Sequence, residues 1–246
     1  MAITRKHLPV HELGGVAQPA VIRRETFFFV QQDNYDEHAE LAIPFYRQMH
    51  QALLTLVPNG RSEPVRILDL GCGTGKTSQV FLEAYPHSSI VGIDLFDDML
   101  KHARARLDRY SARLELKQAD FRSVPFPGRF DVCVSALSIH HLNPAEKKKL
   151  FHRIWQALSS GGTFLMIDWT KFRSERIEEI SFADASRHAK AAVPNAVAQA
   201  WCDHWKTENI PDAVPDLLTW LREAGFAHAE CVIRHYGMSL IVAEKE

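Results

Sequence analysis

Asp69, Gly71, Gly73 and Gly75 stand at alternate positions of this 246-residue chain. Glycine lets a backbone turn tightly and brings main-chain N–H groups against a ligand with no Cβ in the way. Two further acids follow at comparable places: Asp94 closes the apolar run Ile90-Val91-Gly92-Ile93, and Asp120 closes Leu114 to Ala119. Phe121, beside the last, offers a ring to a flat group. His140 and His141 form the titratable pair best suited to take a proton near neutral pH. Acids combined with backbone donors suit a ligand that carries positive charge and a hydroxyl pair.

The same loop fails two phosphate-binding patterns. A Walker A loop ending at Gly75-Lys76-Thr77 needs its first glycine at position 70, which is Leu70. A dinucleotide fingerprint starting at Gly71 needs Gly or Ala at position 76, where Lys76 stands. A glycine turn with no ligand is the remaining bland alternative.

The elements that must hold these residues alternate in type. Strands are predicted over 65–70, 89–94, 113–119, 130–136 and 163–169, with helices over 76–85, 96–108 and 144–159. Such alternation means a mainly parallel sheet with helices on both faces, where ligands sit beyond the strand C-termini. Asn143 is a candidate cap with Pro144 at the first helical position, and Gly161-Gly162 is expected to end that helix. Before the core, residues 33–57 repeat apolar residues at helical steps, with Asp33 as cap and Pro44 as a break. After it, residues 171–210 read as a helical insertion divided at Pro194-Asn195, with Trp201, His204 and Trp205 on one helical face. A helix over 216–225 and strands over 226–234 and 236–243 follow. The expected division is 1–60 as arm and cap, 61–170 as core, 171–212 as lid, and 213–246 as the closing part of the core. Phe27-Phe28-Phe29 must be covered by something: the lid, a dimer contact or the mouth of the substrate pocket.

The form acidic-x-Gly-x-Gly-x-Gly, met in full here, resembles the first motif of the class I S-adenosylmethionine-dependent methyltransferases. Phe130 to His141 resembles their fourth motif, and Gly161-Gly162 and Trp220 to Phe226 match later features. Tyr35-Asp36 and Ile43-Pro44-Phe45-Tyr46 resemble the N-terminal cap of a small-molecule subgroup that includes carboxy-S-adenosylmethionine synthase. The resemblance implies a doubly wound α/β fold. Its seven-stranded sheet is mostly parallel with one antiparallel C-terminal strand, and a helical cap and lid are added. It also implies S-adenosylmethionine as cofactor, S-adenosylhomocysteine as product, and no metal. The cofactor residues implied are the loop set Asp69, Gly71, Cys72, Gly73 and Gly75, then Asp94, Leu95 and Met99, then Asp120, Phe121 and Ser135. Tyr35 and Arg47 come from the cap, where each is a cofactor contact or an exposed cap residue.

For the chemistry, in-line transfer of a methyl to N or O is expected, with His140 as first choice of base and Asp168 as second. His141 is read as serving the backbone ahead of Asn143. His140 faces substrate or does the same. Trp169, Trp201 and Trp205, with His140, are the expected substrate contacts for a flat aromatic or heterocyclic acceptor, the lid aromatics otherwise being packing. Two histidines without Cys, Asp or Glu at ligand spacing do not make a zinc site. The close alternatives are carboxy-S-adenosylmethionine synthesis, a tRNA-modifying enzyme and a non-catalytic cofactor-binding module. In the first, the resemblance implies a lid arginine for the extra carboxylate, and residues 195–215 contain none.

Composition narrows the classes further. The net charge is −1 and 46% of residues are hydrophobic, so no global field favours nucleic acid. The local patches Arg104, Arg106 and Arg109, and Lys147 to Lys149, read as solvated helix faces. No Asn/Asp-Pro-Pro-aromatic motif follows the fourth strand, where Ser135-Ala136-Leu137-Ser138 stands. The four cysteines lack metal spacing and read as reduced, buried thiols. No apolar leader or membrane span is evident. A cytoplasmic protein acting on a small molecule is expected, with room for a homodimer.

Overall fold

Strands buried on both faces need nearly continuous apolar runs. β1 (Arg66–Leu70) and β4 (Phe130–Ala136) supply them at the centre of the sheet. The structure is a computed structural model that describes residues 34–246. Phe27-Phe28-Phe29 and Asp33, singled out above, lie outside the described residues.

The order of elements is α1 (Tyr35–Ala42), α2 (Tyr46–Leu53), β1, α3 (Lys76–Ala84), β2 (Ser89–Asp94), α4 (Asp97–Leu107), β3 (Leu114–Gln118) and β4. Then come α5 (Pro144–Ala157), β5 (Leu158–Trp169), α6 (Glu175–Ala192), α7 (Asn195–Glu208), α8 (Val214–Glu223), β6 (His228–His235) and β7 (Met238–Glu244). The seven strands run β3-β2-β1-β4-β5-β7-β6, with β7 antiparallel to both its neighbours. Chain order reverses between β1 and β4, which opens a crevice beyond their carboxyl ends.

Side-chain alternation divides the core. Leu68, Leu70 and Cys133 face the layer made with Phe151, Phe164 and Leu221. Ile67, Val132 and Val134 face Met49, Leu53 and Phe81 on the other side. α5 begins as expected: Asn143 accepts from Glu146 N, Glu146 reaches back to Asn143 N, and Pro144 opens the first turn.

Three expectations change. The predicted helix over 33–57 is two eight-residue helices, broken at Ile43-Pro44-Phe45, with Phe45 at φ 60°. Asn34 holds the cap position of α1 without a side-chain bond. Gly161-Gly162 does not cap a helix. α5 stops at Ala157 and β5 starts at Leu158, because Gly161 N donates to Lys245 O and Lys245 N donates to Gly162 O. The Lys147–Lys149 patch is not one solvated face either. Lys147 is buried in an ion pair with Asp212 at 2.6 Å, while Lys148 and Lys149 are exposed.

The insertion folds as α6 and α7. Ala189, Val193, Val197 and Ala198 of that pair pack with Ala42 of α1 in a small cluster of their own. No helix among the described residues is long and apolar enough to cross a membrane.

Candidate active site

The turn after β1 is built for close approach. Gly71 has φ +69°, and a Cβ there would strike the Ser138 hydroxyl. Gly73 has φ +52°, and a Cβ there would meet nothing within 4 Å, so its bare face looks into open space. Asp94, at the end of β2, pins this loop. Its Oδ2 accepts from Gly73 N at 2.8 Å, and its Oδ1 accepts from Phe96 N at 2.9 Å. Burial pushes the Asp94 carboxyl up, against the lowering effect of those backbone donors.

The loop floors a cleft of about 890 Å³. Of the residues expected to hold a cofactor, Tyr35, Gly71, Cys72, Gly73, Asp94, Leu95, Met99 and Phe121 line it. Five others lie off the cleft. Arg47 is exposed and paired with Glu40. Asp69 sits beneath the loop, where Ser78 Oγ donates to its Oδ2 at 2.6 Å. Gly75 packs over Leu107 and Ala103. Asp120 is held by Arg122 at 2.7 Å, leaving only its neighbour Phe121 on the wall. Ser135 is fully buried and donates to Leu70 O at 2.8 Å. A strand-end acid thus divides by what else reaches it. Where a guanidinium or hydroxyl is at hand, the carboxylate turns away.

The cap contributes more than Tyr35. Asp36 accepts from Thr74 Oγ1 at 2.6 Å and from Arg106, which also donates to Thr74 O. This ties α1 to the glycine loop and to α4, so Arg106 is not part of a solvated face. Ala39, Tyr46, Lys76 and Thr77 complete that wall. In the sequence Asp36 stands out only as part of the cap segment Tyr35-Asp36. Its partner lies 70 residues on, which no local pattern reveals.

A second cavity, about 580 Å³, adjoins the first. Trp169, Trp201, Trp205 and His140, the expected substrate contacts, all line it. The Trp169 and Trp205 rings meet edge to face at 4.1 Å. His204, Ile43 and Asn209 line it as well. Tyr35, Leu137 and His141 line both cavities and stand at the border the two share. Leu137 is in the left-handed region at φ 57°, where β4 gives way to the turn. Such strain is sustained only when its surroundings fix it, and here Leu137 N donates to Ile167 O at 2.8 Å. His141, expected to serve the backbone, stands at this border as well. Burial drives its imidazole down to about 2, and that of His204 down to about 4. Both are therefore neutral at neutral pH.

His140 and Asp168 are joined directly. His140 Nδ1 bonds Asp168 Oδ1, and the backbone N of His140 donates to Asp168 Oδ2 at 2.9 Å. Trp169 N also donates to that carboxylate, at 2.8 Å. Asp168 is 2% exposed, and both of its oxygens are engaged by His140. Nε2 of His140 meets no partner among the described residues and is the ring nitrogen left for the cavity. No group of three or more His, Cys, Asp or Glu among the described residues could hold a metal ion.

Residues 67–162 match the family described as a methyltransferase domain. In that domain and in its fold, the chain is similar to the class I S-adenosylmethionine-dependent methyltransferases. It is 22% identical over 213 residues to the carboxy-S-adenosyl-L-methionine synthase of Nautilia profundicola, covering 86% of this chain and 90% of that one. A protein of Nostoc punctiforme named as an O-methyltransferase superposes with a TM-score of 0.63 at 18% identity, covering 88% of this chain. The CurJ carbon methyltransferase superposes at 0.65 and 16% identity, also over 88%. This chain spans 60% and 59% of those two structures. One sheet therefore serves names that differ in the atom they methylate. The fold of this chain does not by itself fix an accepting atom.

Proposed function

We propose that the chain transfers a methyl group from S-adenosylmethionine to an oxygen or nitrogen of a small aromatic or heterocyclic molecule. The observation that carries this reading is the His140–Asp168 pair, set in a tryptophan-lined cavity that borders the glycine-loop cleft.

The cleft suits the cofactor. Asp94 offers acceptor lone pairs of the kind a ribose hydroxyl pair needs. Gly73 presents a bare backbone, and Met99 and Phe121 provide apolar surface beside an adenine. When bound, S-adenosylmethionine would supply an electrophilic methyl on a positively charged sulfur. The protein's part is to align and to manage a proton. Tyr35, Leu137 and His141 stand at the border where the two ligands would meet, and alignment at near-attack distance supplies much of the rate. The tryptophans exclude water and hold a flat ring. His140 accepts the acceptor's proton at Nε2, while Asp168 fixes the ring through Nδ1 and stabilises the resulting imidazolium. A neutral His141 spares this border a second positive charge beside the sulfonium.

The relative named above points to a second reaction, formation of carboxy-S-adenosylmethionine. That product bears an additional carboxylate, and neither cavity is lined by an arginine among the described residues. The lining therefore favours methyl transfer. Incubating the full chain with isotopically labelled S-adenosylmethionine and a panel of aromatic and heterocyclic metabolites, read by mass spectrometry, tests the proposal. A labelled methyl on an acceptor is expected. Appearance of a carboxylated cofactor instead, or tight calorimetric uptake of ATP or NAD with none of S-adenosylhomocysteine, would overturn it.

A further inference from the structure

One lining group of the tryptophan cavity is not used by the proposed reaction. Asn209 follows α7 directly and lines the cavity, and its Oδ1 is buried with no hydrogen-bond donor among the described residues. A buried amide oxygen left unpaired keeps its full desolvation cost, and a ligand that brings a donor removes it. The segment around it is fixed. Ile210 N donates to His140 O at 2.7 Å, while Lys147 Nζ donates to Ile210 O and to Asp212. Asn209 is thus anchored through its neighbour to the backbone of the very histidine assigned as base.

Charge supplies a second, independent observation. Among the described residues, no Lys, Arg, Asp or Glu lines this cavity. Its histidines 141 and 204 are held neutral by burial. Lys147, which approaches from α5, has its charge balanced by Asp212. A carboxylate entering here would leave water without meeting a lysine or arginine among the described residues.

We propose that Asn209 sets the acceptor class: an uncharged planar aromatic with two hydrogen-bond donors, one that reacts at His140 and one received by Asn209 Oδ1. Molecules bearing a carboxylate are rejected. This rests on reading the cavity as the methyl-acceptor site.

Three naphthalene probes of like shape test it by calorimetry on the full chain with S-adenosylhomocysteine present, so that binding is read without any methyl transfer. The expected order has 2,6-dihydroxynaphthalene about tenfold tighter than 2-naphthol, the gain from satisfying one buried acceptor. It should bind at least about 100-fold tighter than 6-hydroxy-2-naphthoate. Asn209→Leu should bring the diol-to-naphthol ratio close to one. The proposal is overturned if the naphthoate binds within tenfold of the diol, if the diol's advantage survives Asn209→Leu, or if none of the three binds. If the variant does not fold, the wild-type ranking decides alone. Methyl transfer to the diol is scored separately. Its absence with the binding order intact removes the reaction and leaves the assignment of Asn209. Transfer to a carboxylate-bearing acceptor keeps the reaction and removes the assignment.

Discussion

At the scale of single residues, His140 and Asp168 divide one task, because Nδ1 is taken by the carboxylate and only Nε2 is left for a substrate. His140→Ala should lower kcat by about 10²–10⁴ and leave S-adenosylhomocysteine affinity nearly intact, since the histidine lines only the second cavity. Collapse of cofactor affinity would instead assign it to the fold. Asp94 is the opposite case. Its two oxygens receive the N–H groups of Gly73 and Phe96, and bonds to a charged group contribute about 1.5–3 kcal/mol each. Asp94→Ala should weaken S-adenosylhomocysteine binding by about 100-fold or more, and an unchanged Kd would remove the ribose role. Asp69 makes a pH prediction. Burial raises its pKa from 3.8 to about 7, with Ser78 donating to one oxygen and Oδ1 unpaired among the described residues. Between those two values the folded state keeps a proton that the unfolded chain has released. Stability from this group is therefore full below about pH 4 and is lost as pH rises through 7. Asp69→Asn should gain on the wild type across that window and hold a constant margin above it, on the order of a few kcal/mol. Chemical denaturation at pH 4, 6 and 8 checks this, and a margin independent of pH would contradict it.

At the scale of elements, the lid is fastened by a buried charge. Lys147 of α5 reaches the segment after α7 through Asp212 and Ile210 O, and burial pulls its pKa down while Asp212 holds it up. Removing one partner of such a pair costs about 3–5 kcal/mol, because the other charge is left buried alone. Lys147→Met should show that loss in urea unfolding. Adding Asp212→Leu should recover much of it. A double variant no better than the single would mean the pair does not act as a unit. The apolar period of α5 was legible in the sequence, and so was its cap at Asn143. Lys147 was not, since a lysine among lysines reads as surface until α8 and its approach are placed.

At the scale of the molecule, legibility followed range. The β1 run, the glycine turn and the alternation of strands and helices are local signals, and they led to the sheet that the structure has. What escaped was set by partners distant in sequence. Gly161-Gly162 was bound to Lys245, and Asp36 was tied to Arg106; Asp120 is the exception, held by Arg122 only two residues on. The same limit hid Asn209, whose surroundings exist only once the lid is folded over β4 and β5.

The alanine-rich cluster that joins Ala42 to Ala189 and Ala198 has one more consequence. The wall of the first cleft and the roof of the aromatic cavity pack against each other through it, so binding on the two sides is expected to be coupled. Thermodynamic reciprocity then requires equal factors in both directions. S-adenosylhomocysteine should tighten 2,6-dihydroxynaphthalene by the same ratio as the diol tightens S-adenosylhomocysteine. Two titrations that each ignore the other ligand would show that cap and roof respond separately.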